Sequence, residues 1–274
     1  MTRLPSIAAL LPEADTFLVD QFGTLHDGAR AYPGAVEALR RLRDAGKRVA
    51  LLSNSGKRAR PNEARLARLG FPPDSYALFL SSGELAWQRL AQQGETGKRC
   101  LLVSRGNDAG FLDGLGWTAT DRAGEADLVL ITGSEADHHS LRAYHERLAP
   151  AAARRTPCLC TNPDRTMLVA SGLAPGAGRI AALYAALGGP VTWIGKPYPA
   201  IYGAALAALG VAAGPRVMAV GDSVEHDVAG AHGAGCRASL VLTGIARGLD
   251  AASLAAEAAR WRAEPDFVLE RFGG

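Results

Sequence analysis

The chain alternates between short apolar runs and longer stretches whose apolar residues recur at helical spacing. Phe17-Leu18-Val19 ends in Asp20 and runs straight into a glycine-bearing loop; on length alone it would also suit part of a buried helix. Ala35 to Ala45 carries Val36, Leu39 and Leu42 on one helical face, and Gly46 stands where a helix is closed. Val49-Ala50-Leu51-Leu52 reads as a second buried strand, followed by Ser53-Asn54-Ser55-Gly56. Pro61 suits the first turn of a helix, because that position needs no amide hydrogen, and Gly70 ends it. Leu78-Phe79-Leu80 then predicts a strand and Glu84 to Gln93 a helix. This order predicts an α/β fold with a parallel sheet and crossover helices.

Two breaks interrupt the pattern. Gly94-Glu95-Thr96-Gly97-Lys98 is polar and turn-rich, and reads as a linker. Its lysine does not make a phosphate loop, because the spacing and the following Ser or Thr are missing. Beyond it lie the strands Leu101-Leu102-Val103, Leu128-Val129-Leu130-Ile131 and Cys158-Leu159-Cys160, with helices around Leu141 to Leu148 and Ile180 to Leu187. Gly188-Gly189-Pro190 is the second break. Val191-Thr192-Trp193-Ile194, the helix Ala200 to Leu209, Val217-Met218-Ala219-Val220 and Ser239-Leu240-Val241-Leu242 then predict a return to the first sheet. The expected organisation is a discontinuous core, residues 1–96 and 189–274, with a second domain inserted over 97–188. The two glycine-bearing breaks predict that the insert moves as a unit.

Composition narrows the function without naming it. The 274 residues suffice to bury a sizeable core, and 48% hydrophobic content is that of a globular protein. A net charge of +3 is mild, and no basic run is dense enough for a nucleic-acid footprint; Lys57-Arg58-Ala59-Arg60 suits a solvated helix entrance. No stretch reaches the roughly 18 apolar residues of a membrane helix, and the start of the chain shows no signal peptide. Four cysteines do not build a disulfide framework in a chain of this length. A cytoplasmic setting is the expectation. A homodimer is compatible with the sequence, which does not itself decide the oligomeric state.

Four loops after the core strands carry polar residues of different kinds. The first supplies Asp20, the second Ser53 beside Asn54, the third Gly195-Lys196-Pro197, and the fourth Gly221-Asp222-Ser223 with Asp227. Carboxylates from two strand ends, a cation and a hydroxyl can together hold a hard dication and a phosphoryl group. Phosphoryl transfer needs little beyond such positioning and charge stabilisation. Each residue alone also suits a structural role: Ser53 as a turn cap, Lys196 as a surface lysine, Asp222 and Asp227 as a helix cap and a first-turn acid. The joint occurrence of all four, in this order, favours a site.

The set Asp20…Gly23-Thr24-Leu25, Ser53-Asn54, Gly195-Lys196-Pro197 and Gly221-Asp222-Ser223…Asp227 resembles the four motifs of the haloacid dehalogenase-like (HAD) superfamily. An insert between the second and third motifs, containing Thr161-Asn162-Pro163-Asp164, resembles subfamily IIA, the group of 4-nitrophenylphosphatase and N-acetylglucosamine-metabolism phosphatase relatives. The resemblance implies a Rossmann-like parallel-sheet core with an inserted α/β cap domain of the C2 type. It implies a Mg²⁺-dependent phosphohydrolase acting on a small phosphorylated metabolite through an aspartyl-phosphate. Asp20 would be the nucleophile; Ser53 and Lys196 would hold phosphoryl oxygens, with Asn54, Gly23 and Thr24 also on the substrate. Asp20, Asp222 and the main-chain carbonyl of Phe22 would hold Mg²⁺, with Asp227 acting nearby.

One position departs from the family. Its phosphatases place a second aspartate two residues after the nucleophile as general acid and base, and here that residue is Phe22. Phenylalanine offers a carbonyl but moves no proton. His26 and Asp27 are the candidate stand-ins on the same loop. The alternative reading is a phosphate-binding or regulatory protein that has lost turnover. A phosphonate-cleaving enzyme would need a Schiff-base lysine, for which the insert offers only Lys98.

Overall fold

The computed structural model of the chain describes residues 2–106, 108–169 and 172–274. Its strands open with β1 (Thr2–Leu4), β2 (Thr16–Asp20), β3 (Arg48–Ser53) and β4 (Leu78–Ser81). There follow β5 (Arg99–Val103), β6 (Thr118–Ala119), β7 (Leu128–Ile131), β8 (Cys158–Cys160), β9 (Thr166–Val169), β10 (Gly172–Pro175) and β11 (Val191–Trp193). The chain then adds β12 (Val217–Gly221), β13 (Arg237–Val241) and β14 (Phe267–Leu269). These build a seven-stranded sheet ordered β1-β14-β13-β12-β2-β3-β4, a five-stranded sheet ordered β11-β8-β7-β5-β6, and the hairpin β10-β9. By their contacts the residues fall into two compact units. One comprises Met1–Ser53, Arg60–Leu80 and Lys196–Gly274, the other Asn54–Ala59 and Ser81–Gly195.

In the first unit β2 pairs in parallel with both β3 and β12, and β12 with β13. Every residue of β2 and β12 is buried, as expected of parallel strands covered on both faces, and this is why they read as unbroken apolar runs. The strand order reverses at β2: β3 and β4 extend one way, β12 and β13 the other. Such a switch point opens a crevice at the carboxyl ends of the strands, where open α/β sheets bind ligands. The helix Ala35–Asp44 buries Ala35, Ala38, Leu39 and Leu42; of the positions its spacing predicts, Leu39 and Leu42 are buried and Val36 is only half-buried. Gly46, at φ 71°, turns the chain out of it, and the Lys47 amide closes onto the Leu42 carbonyl at 3.0 Å.

The second unit has its own parallel sheet and core. Leu101, Val103, Val129, Ile131, Tyr144, Leu148, Ile180 and Tyr184 belong to one buried cluster, drawn from β5, β7 and two helices, Leu141–Ala153 and Ala177–Ala186. The first of these helices runs past Leu148 and through Pro150, further than its pattern predicts. Ala151 and Ala152 are buried in the same core and hold that last turn despite the proline. The helix Ser82–Gln93 begins two residues earlier than expected, because Ser81 caps it, its hydroxyl accepting from the Glu84 amide at 3.0 Å. The helix expected to open at Pro61 starts at Ala59, whose amide donates to the Glu84 carboxylate at 3.0 Å.

Two expectations about the insert need correction. Val191–Trp193 does not return to the first sheet: it pairs in parallel with β8, through Cys158 N–H to Pro190 and Ile194 N–H to Cys160, both at 2.9 Å. Gly188-Gly189-Pro190 is therefore a helix-to-strand loop inside the second unit. The helix Ser82–Gln93, expected in the core, also groups with the second unit. An apolar strand carries no mark of which of two parallel sheets it joins, so the alternation alone misplaced both boundaries. Among the described residues no helix is long and apolar enough to cross a membrane, and Cys100, Cys158, Cys160 and Cys236 are buried thiols without disulfides.

Tyr184 tests the core of the second unit. Its ring is fully buried and its hydroxyl donates to the Thr156 carbonyl at 2.6 Å. Tyr184→Phe keeps the ring and strands that carbonyl, which should cost about 1–3 kcal/mol in urea unfolding. Unchanged stability would mean that the bond contributes nothing.

Candidate active site

Register brings the first carboxylates together. Val19 of β2 lies opposite Val220 of β12, so Asp20 ends its strand beside Gly221, and Asp222 is the next residue. On the other side Asp20 lies opposite Leu52 of β3, which puts Ser53 one position further along. Three strands of one sheet thus deliver Asp20, Ser53 and Asp222 to the same end. Beyond Asp222 the Ser223 hydroxyl caps a π-helical turn, Val224–Ala229, by accepting from the His226 amide at 3.0 Å. That wider turn carries Asp227 back toward the strand ends, where its Oδ2 accepts from the Ser223 amide at 3.1 Å. Gly221 has to be glycine, since a Cβ there would overlap the Asp227 carboxylate.

Lys196 joins this group from the loop before the helix Pro199–Leu209. Its Nζ donates to Asp20 Oδ1 and to Asp227 Oδ1, each at 2.6 Å, and its side chain is 4% exposed. Burial works against the ammonium, but Asp20 and then Asp227 outweigh it and hold the lysine above its ordinary pKa. Burial pushes Asp20 up to about 6; Lys196 pulls it down, and Asp227 adds repulsion. Asp222 stands well above the usual carboxylate range, through burial first and then the charges of Asp20 and Asp227. Its Oδ2 accepts from the Ile245 amide at 2.8 Å, in a slot where a Cβ on either Gly23 or Gly244 would collide with it. Gly23, at φ 87°, takes a conformation that favours glycine. Its carbonyl accepts from the Thr243 hydroxyl at 2.6 Å, which ties the loop after β13 to the loop after β2.

Among the described residues Asp20, Asp222 and Asp227 can offer three carboxylate oxygens within 4.8 Å of one another. With one lysine among three carboxylates, the group is left short of positive charge, and the charges of Asp20 and Asp227 add to the burial that holds Asp222 high. Hard oxygen donors in an electron-rich cluster of this kind fit a dication such as Mg²⁺. The set can therefore present a carboxylate nucleophile, a fixed cation, a hydroxyl and a metal-holding face at one sheet end.

The remaining expected residues divide. Phe22 is 48% exposed and meets the His26 ring edge-on, with centroids 5.8 Å apart. Neither candidate stand-in is poised for proton transfer. His26 is fully buried; its Nδ1 accepts from the Gly28 amide at 3.0 Å and its Nε2 lies 3.4 Å from Gln21 Oε1. Burial, with Arg65 assisting against Asp27, lowers its pKa to about 4. Asp27 Oδ1 accepts from the Ala29 and Arg30 amides and simply shapes an exposed turn. Among the described residues the Thr24 hydroxyl is buried with no hydrogen-bond partner, and Asn54 donates to Asp164 Oδ1 at 2.7 Å. Gln21, whose amide donates to Ser53 Oγ at 2.6 Å, and the Thr243-Gly244-Ile245 loop went unnoticed in the sequence. Both directly follow apolar strands, the one signal that would have found them.

Two family models match the chain: one described as haloacid dehalogenase-like hydrolase over residues 17–118, the other as HAD-hydrolase-like over 193–273. Bovine (Bos taurus) chronophin is 32% identical over 258 residues, covering 89% of this chain and 86% of that protein. Among solved structures, p-nitrophenyl phosphatase from Archaeoglobus fulgidus is similar with a TM-score of 0.78 at 26% identity, covering 95% of this chain and 97% of that one. Glycerol phosphate phosphatase from Mycobacterium tuberculosis, solved in complex with magnesium, is similar with a TM-score of 0.74 at 28% identity, covering 96% and 76%. By its motifs, its parallel-sheet core with an inserted α/β unit, and these likenesses, the chain belongs to the haloacid dehalogenase-like hydrolases, subfamily IIA.

Proposed function

We propose that the protein is a Mg²⁺-dependent phosphohydrolase that acts on a small phosphorylated metabolite through an aspartyl-phosphate on Asp20. The observation that carries this reading is Lys196, buried and held 2.6 Å from both Asp20 and Asp227 beside the third carboxylate, Asp222. The phosphatase names of the two similar solved structures support it. Asp20, Asp222 and the Phe22 carbonyl would hold Mg²⁺, with Asp227 alongside; the ion would neutralise phosphoryl charge and so lower the barrier to attack.

The chain's own groups account for the rest. An oxygen of Asp20 forms the new bond to phosphorus while the ester P–O bond breaks and the leaving group departs with the electron pair. Lys196 offsets the repulsion between the Asp20 carboxylate and the incoming anion, and the Ser53 hydroxyl donates to a phosphoryl oxygen. Water then attacks phosphorus, the bond to Asp20 breaks, and one water proton has to be taken up. In the family the aspartate missing here would take it, and Phe22, His26 and Asp27 offer no replacement. Attack should therefore outrun hydrolysis. The second reading, a phosphate-binding protein without turnover, rests on the same observation at Phe22.

Excess chelator should abolish hydrolysis of 4-nitrophenyl phosphate and added Mg²⁺ should restore it; undiminished activity in chelator would refute the metal assignment. Rapid mixing with the same substrate, whose leaving group needs no proton, should release nitrophenol in a burst of about one per site, then slowly. Phe22→Asp should raise the slow rate by about 10²-fold, the lower end of what general acid–base help contributes, and Asp20→Asn should abolish both phases. A steady rate with no burst would mean that another base serves, and no nitrophenol at all would leave the binding protein. Gly221→Ala should push Asp227 off Lys196 and cut kcat/KM by about 10²-fold with an unchanged circular dichroism spectrum. Full activity would mean that the Asp227 position is not critical.

A further inference from the structure

We infer that Gln21 is a positioning residue for the phosphate-binding hydroxyl of Ser53, and that His26 sets the direction in which Gln21 acts; this rests on the phosphohydrolase reading. The three side chains form one buried line beside the nucleophile: Gln21 is 2% exposed, Ser53 4% and His26 0%. The direction of every bond in it follows from its far end. The Gly28 amide can only donate, and it donates to His26 Nδ1 at 3.0 Å. Nδ1 is therefore an acceptor, and the ring proton of the neutral imidazole sits on Nε2. Nε2–H faces Gln21 Oε1 at 3.4 Å, which makes that atom the accepting end of the amide. The opposite end, Nε2, then donates to Ser53 Oγ at 2.6 Å.

The consequence falls on Ser53. An oxygen that already accepts from Gln21 has its own proton directed elsewhere, and a phosphoryl oxygen is a pure acceptor. Reversing the amide would present Oε1 to Ser53 and draw the hydroxyl proton toward Gln21, away from the phosphoryl group. The main chain keeps the line rigid: the Gln21 carbonyl accepts from Leu25 at 2.8 Å and from His26 at 3.2 Å, and Gly23 N–H donates to the His26 carbonyl at 2.8 Å. A leucine at position 21 would suit a buried strand end at lower desolvation cost. A glutamine with both ends of its amide engaged there is a device for orienting a donor. It explains His26 as well, which the mechanism otherwise leaves idle.

A double-mutant cycle isolates the coupling. With 4-nitrophenyl phosphate and Mg²⁺, Gln21→Leu should lower kcat/KM by about tenfold, the size of one well-aimed hydrogen bond, and Gln21→Glu by as much, since a carboxylate accepts from Ser53 rather than donating. In the Ser53→Ala background the same changes should cost less than twofold. An equal loss in both backgrounds would overturn the inference, because it would mean that Gln21 acts on the fold and not through Ser53. His26→Phe should repeat the pattern, which keeps the test intact if a Gln21 variant folds poorly. Turnover that survives Asp20→Asn would sink the aspartyl-phosphate on Asp20 instead, and no turnover in the unaltered protein would sink the phosphohydrolase reading. The dissociation constant of inorganic phosphate, measured across the same cycle, decides the coupling without any turnover.

Discussion

Three carboxylates taken out of water at the end of one sheet repel one another, and the Lys196 ammonium, 2.6 Å from two of them, is what makes the arrangement tenable. Desolvating such groups costs several kcal/mol each, and attraction repays that only when the geometry is good. An apolar filling would serve stability better. The cluster is therefore best understood as a site whose charges are kept for chemistry, which is where strongly shifted carboxylates are generally found. Asp222, high in pKa and held by the Ile245 amide, marks the place where positive charge is still wanted.

The rest of the first unit serves that cluster. Parallel pairing of β2 with β12 and β3 sets the spacing of Asp20, Asp222 and Ser53, and the π-helical turn after Ser223 brings Asp227 to the lysine. The loops after β2 and β13 lock each other through Thr243 and the Gly23 carbonyl, leaving Asp222 little room to move. Groups fixed on a sheet and on short, bonded loops need little reorganisation when charge develops in front of them. Phe22 stands apart from this economy. Two residues beyond Asp20, it is half exposed and packed edge-on to His26, and its neighbours are committed to shaping the loop.

Much of this was legible in the chain itself. Apolar runs located β2, β3, β4 and β12, helical spacing located Ala35–Asp44, and strand-end chemistry singled out Asp20, Ser53, Lys196, Asp222 and Asp227. These are local properties: a period, a turn former, or a charge placed where a buried strand stops. The parallel α/β class followed from their order. His26 and Asp27 were also visible, but only as polar residues on the right loop, with nothing to say that one donates inward to Gln21 and the other caps a turn.

Tertiary structure alone decided the rest. Val191–Trp193 has the apolar character of a core strand, yet it joins β8, because sheet membership depends on which partner edge the chain reaches. The meeting of Lys196 with Asp20, 176 positions apart in sequence, and the Ile245 amide on Asp222 depend on register between strands that are distant in the chain. So does the line from Gly28 through His26 and Gln21 to Ser53, whose sense is set by one backbone donor. The amino-acid order by itself determined which groups were available and which segments would carry them. How those groups face one another was settled by long-range pairing and by burial, which fix the distance, the tautomer and the charge that each group holds.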